Sequence, residues 1–156
     1  MFLQEIFFNL VVEGCAIQNC SIYGGVVYAP LTISRCQVRN NNVGLSLGGA
    51  TPVLIGTTLT ANTNWDVHLS EGSYSGDLTL NCAKVLYTTT TAWQNGVLRL
   101  EGPMQVVGGV HIFDPGVRYL EIRTNAELHA EGVDFAGDLV MADNAVVTLS
   151  NCTVAA

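Results

Sequence analysis

Charge is scarce in this chain. Only 12% of its 156 residues are Asp, Glu, Lys or Arg, against roughly 25% in an ordinary globular domain. Lys84 is the one lysine, and six basic residues face thirteen acidic ones for a net charge of −7. So few cations neutralise little phosphate, so no nucleic-acid partner is expected. A polybasic membrane patch is missing too, and no apolar run approaches the ~18 residues of a membrane span. The flanking Glu, Lys and Arg of a coiled coil are lacking. At 49% apolar, the composition is the opposite of a disordered segment. No Cys-x-x-Cys occurs and no Cys/His spacing suits zinc; neither metal nor cofactor is expected. The five cysteines, Cys15, Cys20, Cys36, Cys82 and Cys152, are an odd number and cannot all pair within the chain. The start, MFLQEIFFNL, carries Glu5 and no basic residue, so it does not read as a secretory signal. The length predicts one domain, 1–156, with a real core.

What the chain does have is an internal repeat. Shifting Leu10–Tyr28 by 21 residues sets Leu10 on Leu31, Val12 on Ile33, Cys15 on Cys36, Ile17 on Val38 and Asn19 on Asn40. After the turn two residues drop out, which places Val26 and Tyr28 on Leu45 and Leu47. A third copy runs from Val53 to Leu69. Downstream, Val12-Glu13-Gly14 is echoed by Leu100-Glu101-Gly102 and Ala130-Glu131-Gly132, and Cys15 by Cys82 and Cys152. The repeat is regular over 9–70 and degenerate over 71–156.

Within each copy, apolar and polar residues alternate over three short segments, the period of a half-buried strand. A unit of about 21 residues cannot bury its own apolar face, whereas stacked units bury it and pair each strand in parallel with its copy. The fold class predicted is therefore all-β, a single parallel β-helix of about seven coils and roughly 34 Å. Asn40-Asn41-Asn42 and Asn62-Thr63-Asn64 suit its sharp corners, since Asn tolerates the left-handed conformation, and stacked amides bond along the rod. An ordinary β-sandwich explains the turns but not the self-similarity. Leu3, Ile6, Phe7 and Leu10 fall on one helical face, which predicts a short capping helix over 2–8.

The segment LTISRCQVRNNNVGLSL resembles the repeat of right-handed parallel β-helix proteins of the pectate-lyase-like superfamily. The likeness covers residues 9–70 well and the rest loosely. It implies the fold; the superfamily's functions range from lyases and hydrolases to tailspikes, adhesins and plain rods. Its lyases resembling pectate lyase hold calcium with several Asp and use an Arg base, and its hydrolases resembling polygalacturonase use three close Asp with a nearby Gly-His-Gly. Neither set is found here.

The nearest candidate is Asp66 with His68. Alternation with Val67 and Leu69 predicts that both lie on the outer face, where an acid/base pair or a sugar contact is conceivable. Glu101 and Glu131, one long coil apart, are a second candidate, a carboxylate pair, read as solvated corner residues. Cys15 and Cys36 are expected as buried, reduced neighbours. His111 and His129 stand isolated, and the arginines 99, 118 and 123 predict local surface pairs. The Thr88–Thr91 run does not alternate, which argues against an ice-binding ladder. The expected function is a non-catalytic structural or surface-binding solenoid, homo-oligomeric, with a glycan as the ligand class and an extracellular or virion-surface location. The competing expectation is a polysaccharide-active domain of the tailspike kind.

Overall fold

The computed structural model describes residues 10–88, 90–109 and 119–155. All of its regular elements are strands and every strand pair is parallel. The chain is a β-solenoid of about six turns, which carry the strands through seven stacked rungs. The helix expected over 2–8, His111 and Arg118 lie outside the described residues.

Rungs 1 to 3 have three faces. Face A stacks β1 (Leu10–Glu13), β4 (Leu31–Ser34) and β7 (Val53–Ile55). Face B stacks β2 (Ala16–Gln18), β5 (Gln37–Arg39) and β8 (Thr58–Thr60). Face C begins with β3 (Tyr23–Val27), β6 (Val43–Leu47) and β9 (Trp65–Leu69). Rung 4 is cut differently. A new face D appears with β10 (Gly72–Ser75), β11 (Leu78–Leu80) takes up the position beside β7, and β12 (Lys84–Thr88) continues face C. Face B stops at β8, because the chain turns from Leu80 to Lys84 directly.

This second cross-section persists to the end. In rung 5, β13 (Thr90–Gly109) bends around all three sides, pairing with β10, β11 and β12 in turn. Rung 6 is β14 (Tyr119–Ile122) and β15 (Ala126–Ala136); rung 7 is β16 (Asp138–Met141), β17 (Val146–Ser150) and β18 (Thr153–Ala155).

One inward column runs the full length of face C: Gly25, Leu45, Val67, Val85, Val106, Phe135 and Val154. The members from Leu45 to Phe135 are buried, each covered by the rung on either side. This is how a unit with one apolar face obtains a core. Rungs 5 and 6 are offset by about 29 residues, because 110–118 intervene.

The pairing corrects one part of the expected register. Ile17 does meet Val38, but Gly25, Val26 and Val27 meet Leu45, Ser46 and Leu47. One residue rather than two drops out at the turn. A slip of one reverses every side chain, so Val26 faces outward and Tyr28 is 79% exposed. The Tyr28 ring lies where a Cβ on Gly48 would stand.

Candidate functional site

Asp66 sits where rungs 3 and 4 meet, and its burial follows from the corner beneath it. Asn19, Asn40 and Ala61 all take the left-handed conformation there, which turns the next residue's side chain along the rod. Asn41 accepts the Cys20 N–H at 3.0 Å and donates to the Ile17 carbonyl at 3.0 Å and to Asn62 Oδ1 at 3.2 Å. Asn62 accepts the Asn41 N–H at 3.1 Å and donates to the Val38 carbonyl at 3.2 Å and to Asp66 Oδ1 at 2.8 Å. Asp66 ends the ladder: its Oδ2 accepts the N–H groups of Ala83 (3.0 Å) and Lys84 (3.1 Å). In register, Asp66 occupies the position of Gly24 and Gly44. A Cβ on Gly44 would fall 2.4 Å from the Asp66 carbonyl and 2.8 Å from Asn62 Nδ2, so only glycine lets the amide pass there.

The expectation of an exposed Asp66 beside His68 is thereby corrected. Asp66 is 1% exposed, and its carboxylate is held by three donors. Parity placed it on the outer side of face C, but the Asn corner and the short Leu80–Lys84 passage close over that point. The Lys84 ammonium completes the junction by donating to the carbonyls of Asn62 (3.1 Å) and Thr63 (2.8 Å), beyond the free edge of β8.

His68 is half-buried on the outer side of face C. Its Nδ1 lies 3.2 Å from Ser46 Oγ and its Nε2 2.6 Å from Thr88 Oγ1. Burial pushes the imidazole below its ordinary pKa, so it is neutral at pH 7, with one ring nitrogen donating and the other accepting. Ser46 is itself buried.

Glu101 and Glu131 are register partners on adjacent rungs, one long coil apart as expected. They face a cleft of about 560 Å³ walled by Gly102, Pro103, Gly132 and Asn151. Asn81 Nδ2 donates to Glu101 Oε2 at 3.4 Å. Beside them, Arg99 and His129 are also register partners, and His129 Nε2 pairs with Glu127 at 2.9 Å. Arg123 pairs with Glu121 at 2.9 Å. Among the described residues no three His, Cys, Asp or Glu side chains gather closely enough to hold a metal ion.

The five thiols are unpaired. Cys36 is buried, and the Cys15 N–H points at its sulfur at 3.4 Å. Cys15, expected buried, is exposed; its partner Cys36, in the same corner, is buried between rung 1 and Thr57 of the next rung. The Cys82 thiol is pushed up to about 12 by burial and by the nearby Asp66 carboxylate.

The chain matches no known family model, no curated protein and no solved structure.

The sequence foretold the stacked Asn amides. It did not reveal the Asp66 junction, although a signal was present: the passage Leu78-Thr79-Leu80-Asn81-Cys82-Ala83-Lys84 lacks the second strand and second Asn corner of the earlier copies.

Proposed function

We propose that this protein is a non-catalytic, self-associating structural or surface-binding solenoid, the kind of element found in a fibre, an adhesin or a virion appendage, and a member of the pectate-lyase-like group of β-helices. The observation that carries this reading is the stack itself: parallel rungs share one apolar column along face C and a buried amide ladder along one corner, the build of a rod. Met141, Leu149 and Val154 stand in the columns of Ile122, Ala130 and Phe135, which are buried one rung below, yet they are 58%, 40% and 50% exposed. Apolar side chains and strand edges exposed together form a template for further pairing. The 21-residue repeat with its stacked Asn corners supports the group membership. An extracellular or virion-surface setting and a glycan ligand belong to the same reading.

Sedimentation of the 156-residue chain across a concentration series tests it: association is expected, and a monomer of unchanged mass at all concentrations overturns it. Incubation with acidic and neutral polysaccharides is expected to release no products. The Glu101–Glu131 pair in its cleft favours a second reading, a polysaccharide-active domain. Turnover that Glu101→Gln or Glu131→Gln abolishes would establish that reading instead.

A further inference from the structure

We infer that the side of rungs 5 to 7 binds a zwitterionic sugar, a saccharide unit carrying both a free amine and a carboxylate. This rests on the surface-binding reading proposed above and gives its ligand a chemistry. Elsewhere on the solenoid, arginines and acidic side chains that meet also pair. Arg35 bonds Glu13 and Arg123 bonds Glu121, while Arg39 is held by Gln18. Among the described residues, Arg99 is the one arginine whose guanidinium makes no hydrogen bond or ion pair.

Distance along the strand does not explain this isolation. Glu101 follows Arg99 by two residues, the same step across which Glu121–Arg123 and Glu127–His129 close at 2.9 Å. Glu101 and Glu131 are stacked as register partners, so the guanidinium stands about 7 Å along the strand from a pair of carboxylates. Among the described residues Glu131 has no bonding partner, and Glu101 has only Asn81 at 3.4 Å. Opposite charges held apart at one cleft are matched by a ligand that brings the complementary charge to each.

The two carboxylates are a shared wall. On one side lies the cleft of about 560 Å³, and on the other a smaller one of about 210 Å³ that Arg99, Thr148 and Ser150 also line. Sites for small ligands span roughly 300–1,000 Å³. The rest of the lining suits a sugar. Pro103 offers an apolar ring to a sugar's C–H face, and the amides of Asn81 and Asn151 can both donate to and accept from hydroxyl groups. An ammonium fits the Glu101–Glu131 pair, where two like charges stand one rung, about 4.8 Å, apart. A carboxylate fits the Arg99 fork. A purely acidic glycan would be repelled by the same two carboxylates.

The test is an amide NMR titration of the full chain with muramic acid, which carries both charged groups. Glucosamine lacks the carboxylate, N-acetylmuramic acid lacks the ammonium, and β-alanine carries both charges without the sugar ring. Muramic acid is expected to shift the signals of Arg99 to Gly102 and His129 to Gly132. It should bind at least about 5-fold more tightly than glucosamine or N-acetylmuramic acid, the effect of one exposed charge pair, and more tightly than β-alanine. Arg99→Gln is expected to erase the preference over glucosamine, and Glu101→Gln with Glu131→Gln the preference over N-acetylmuramic acid, with the other signals unmoved. If a glutamine variant loses the folded spectrum, Arg99→Lys or Glu131→Asp replaces it and should weaken the same preference. No shifts, shifts elsewhere, or equal affinity for either half-ligand overturns the inference and leaves the structural solenoid standing; that reading fails instead on product release from polysaccharides. Binding of β-alanine as tight as that of muramic acid overturns the sugar assignment.

Discussion

Rungs 1 to 3 and rungs 4 to 7 solve the same problem in different ways. In the lower rungs a buried amide ladder runs along one corner, from Cys20 through Asn41 and Asn62 to Asp66. Each rung must deliver an amide at the same point, so Ile17, Val38 and Leu59 are 21 residues apart. Above Asp66 the ladder ends and rung length is released: successive rungs are offset by about 20, 29 and 19 residues on face D and its neighbour. Aromatic packing takes over there. Tyr74 and Trp93 stack with ring centres 5.5 Å apart and planes within 7°. The Tyr74 hydroxyl donates to the carbonyls of Leu47 and Ser70, and the Trp93 indole to Gly76. The contrast shows that the ladder, rather than the apolar core, keeps the repeat regular. Apolar columns tolerate an insertion between rungs, whereas a hydrogen-bonded amide stack does not.

The sharpest way to break the upper solution is Trp93→Ala. It removes a fully buried indole and should cost about 3–5 kcal/mol in denaturant unfolding. The lower solution breaks at Asp66. Asp66→Ala strands two backbone N–H groups and the Asn62 amide and should cost about 3 kcal/mol; Asn41→Ala should cost about 2 kcal/mol. Hydrogen exchange separates the two: Asp66→Ala should loosen rungs 3 and 4 first, and uniform loosening would show that the ladder is not the seam.

His68 joins rungs 2, 3 and 4 through Ser46 and Thr88. Its folded pKa lies below the unfolded value of about 6.5, so protons bind the unfolded chain better. The stability this neutral imidazole contributes is complete above about pH 6.5 and is lost as pH falls towards the folded pKa. Melting temperature should drop between pH 7 and 5, and His68→Gln should remove that part of the drop. The thiols give a milder comparison. With a disulfide reagent at pH 8, exposed Cys15 should react at once, and Cys82, buried with a pKa pushed up to about 12, only on unfolding. Equal rates would mean that the junction opens readily. The smallest effect belongs to Arg35, which holds φ +51 in a column where Gly14 and Gly56 do the same. Arg35→Gly should raise stability by no more than about 1 kcal/mol, since its ion pair with Glu13 is exposed and contributes little.

Much of this was legible in the residues. The 21-residue offset gave Leu10 on Leu31, Val12 on Ile33 and Ile17 on Val38, and the Asn triplets marked the corner. The one-residue error at Val26 arose because two adjacent valines and two glycines fit either phase. Asp66 was misplaced for a different reason: alternation tells which side of a sheet a residue faces, but not whether another rung's corner covers that side.

The sequence by itself determined that strands stack in parallel with their copies, because a 21-residue unit with one apolar face has no other way to bury it. It also determined where the corners bend, because Gly and Asn tolerate the left-handed backbone there. Only the tertiary structure decided that face B ends at β8 and face D begins at β10, and that a buried carboxylate and the chain's one lysine occupy that step. Those outcomes depend on which groups several rungs bring to one point, and partners 17 to 22 residues apart leave no local pattern from which to read them.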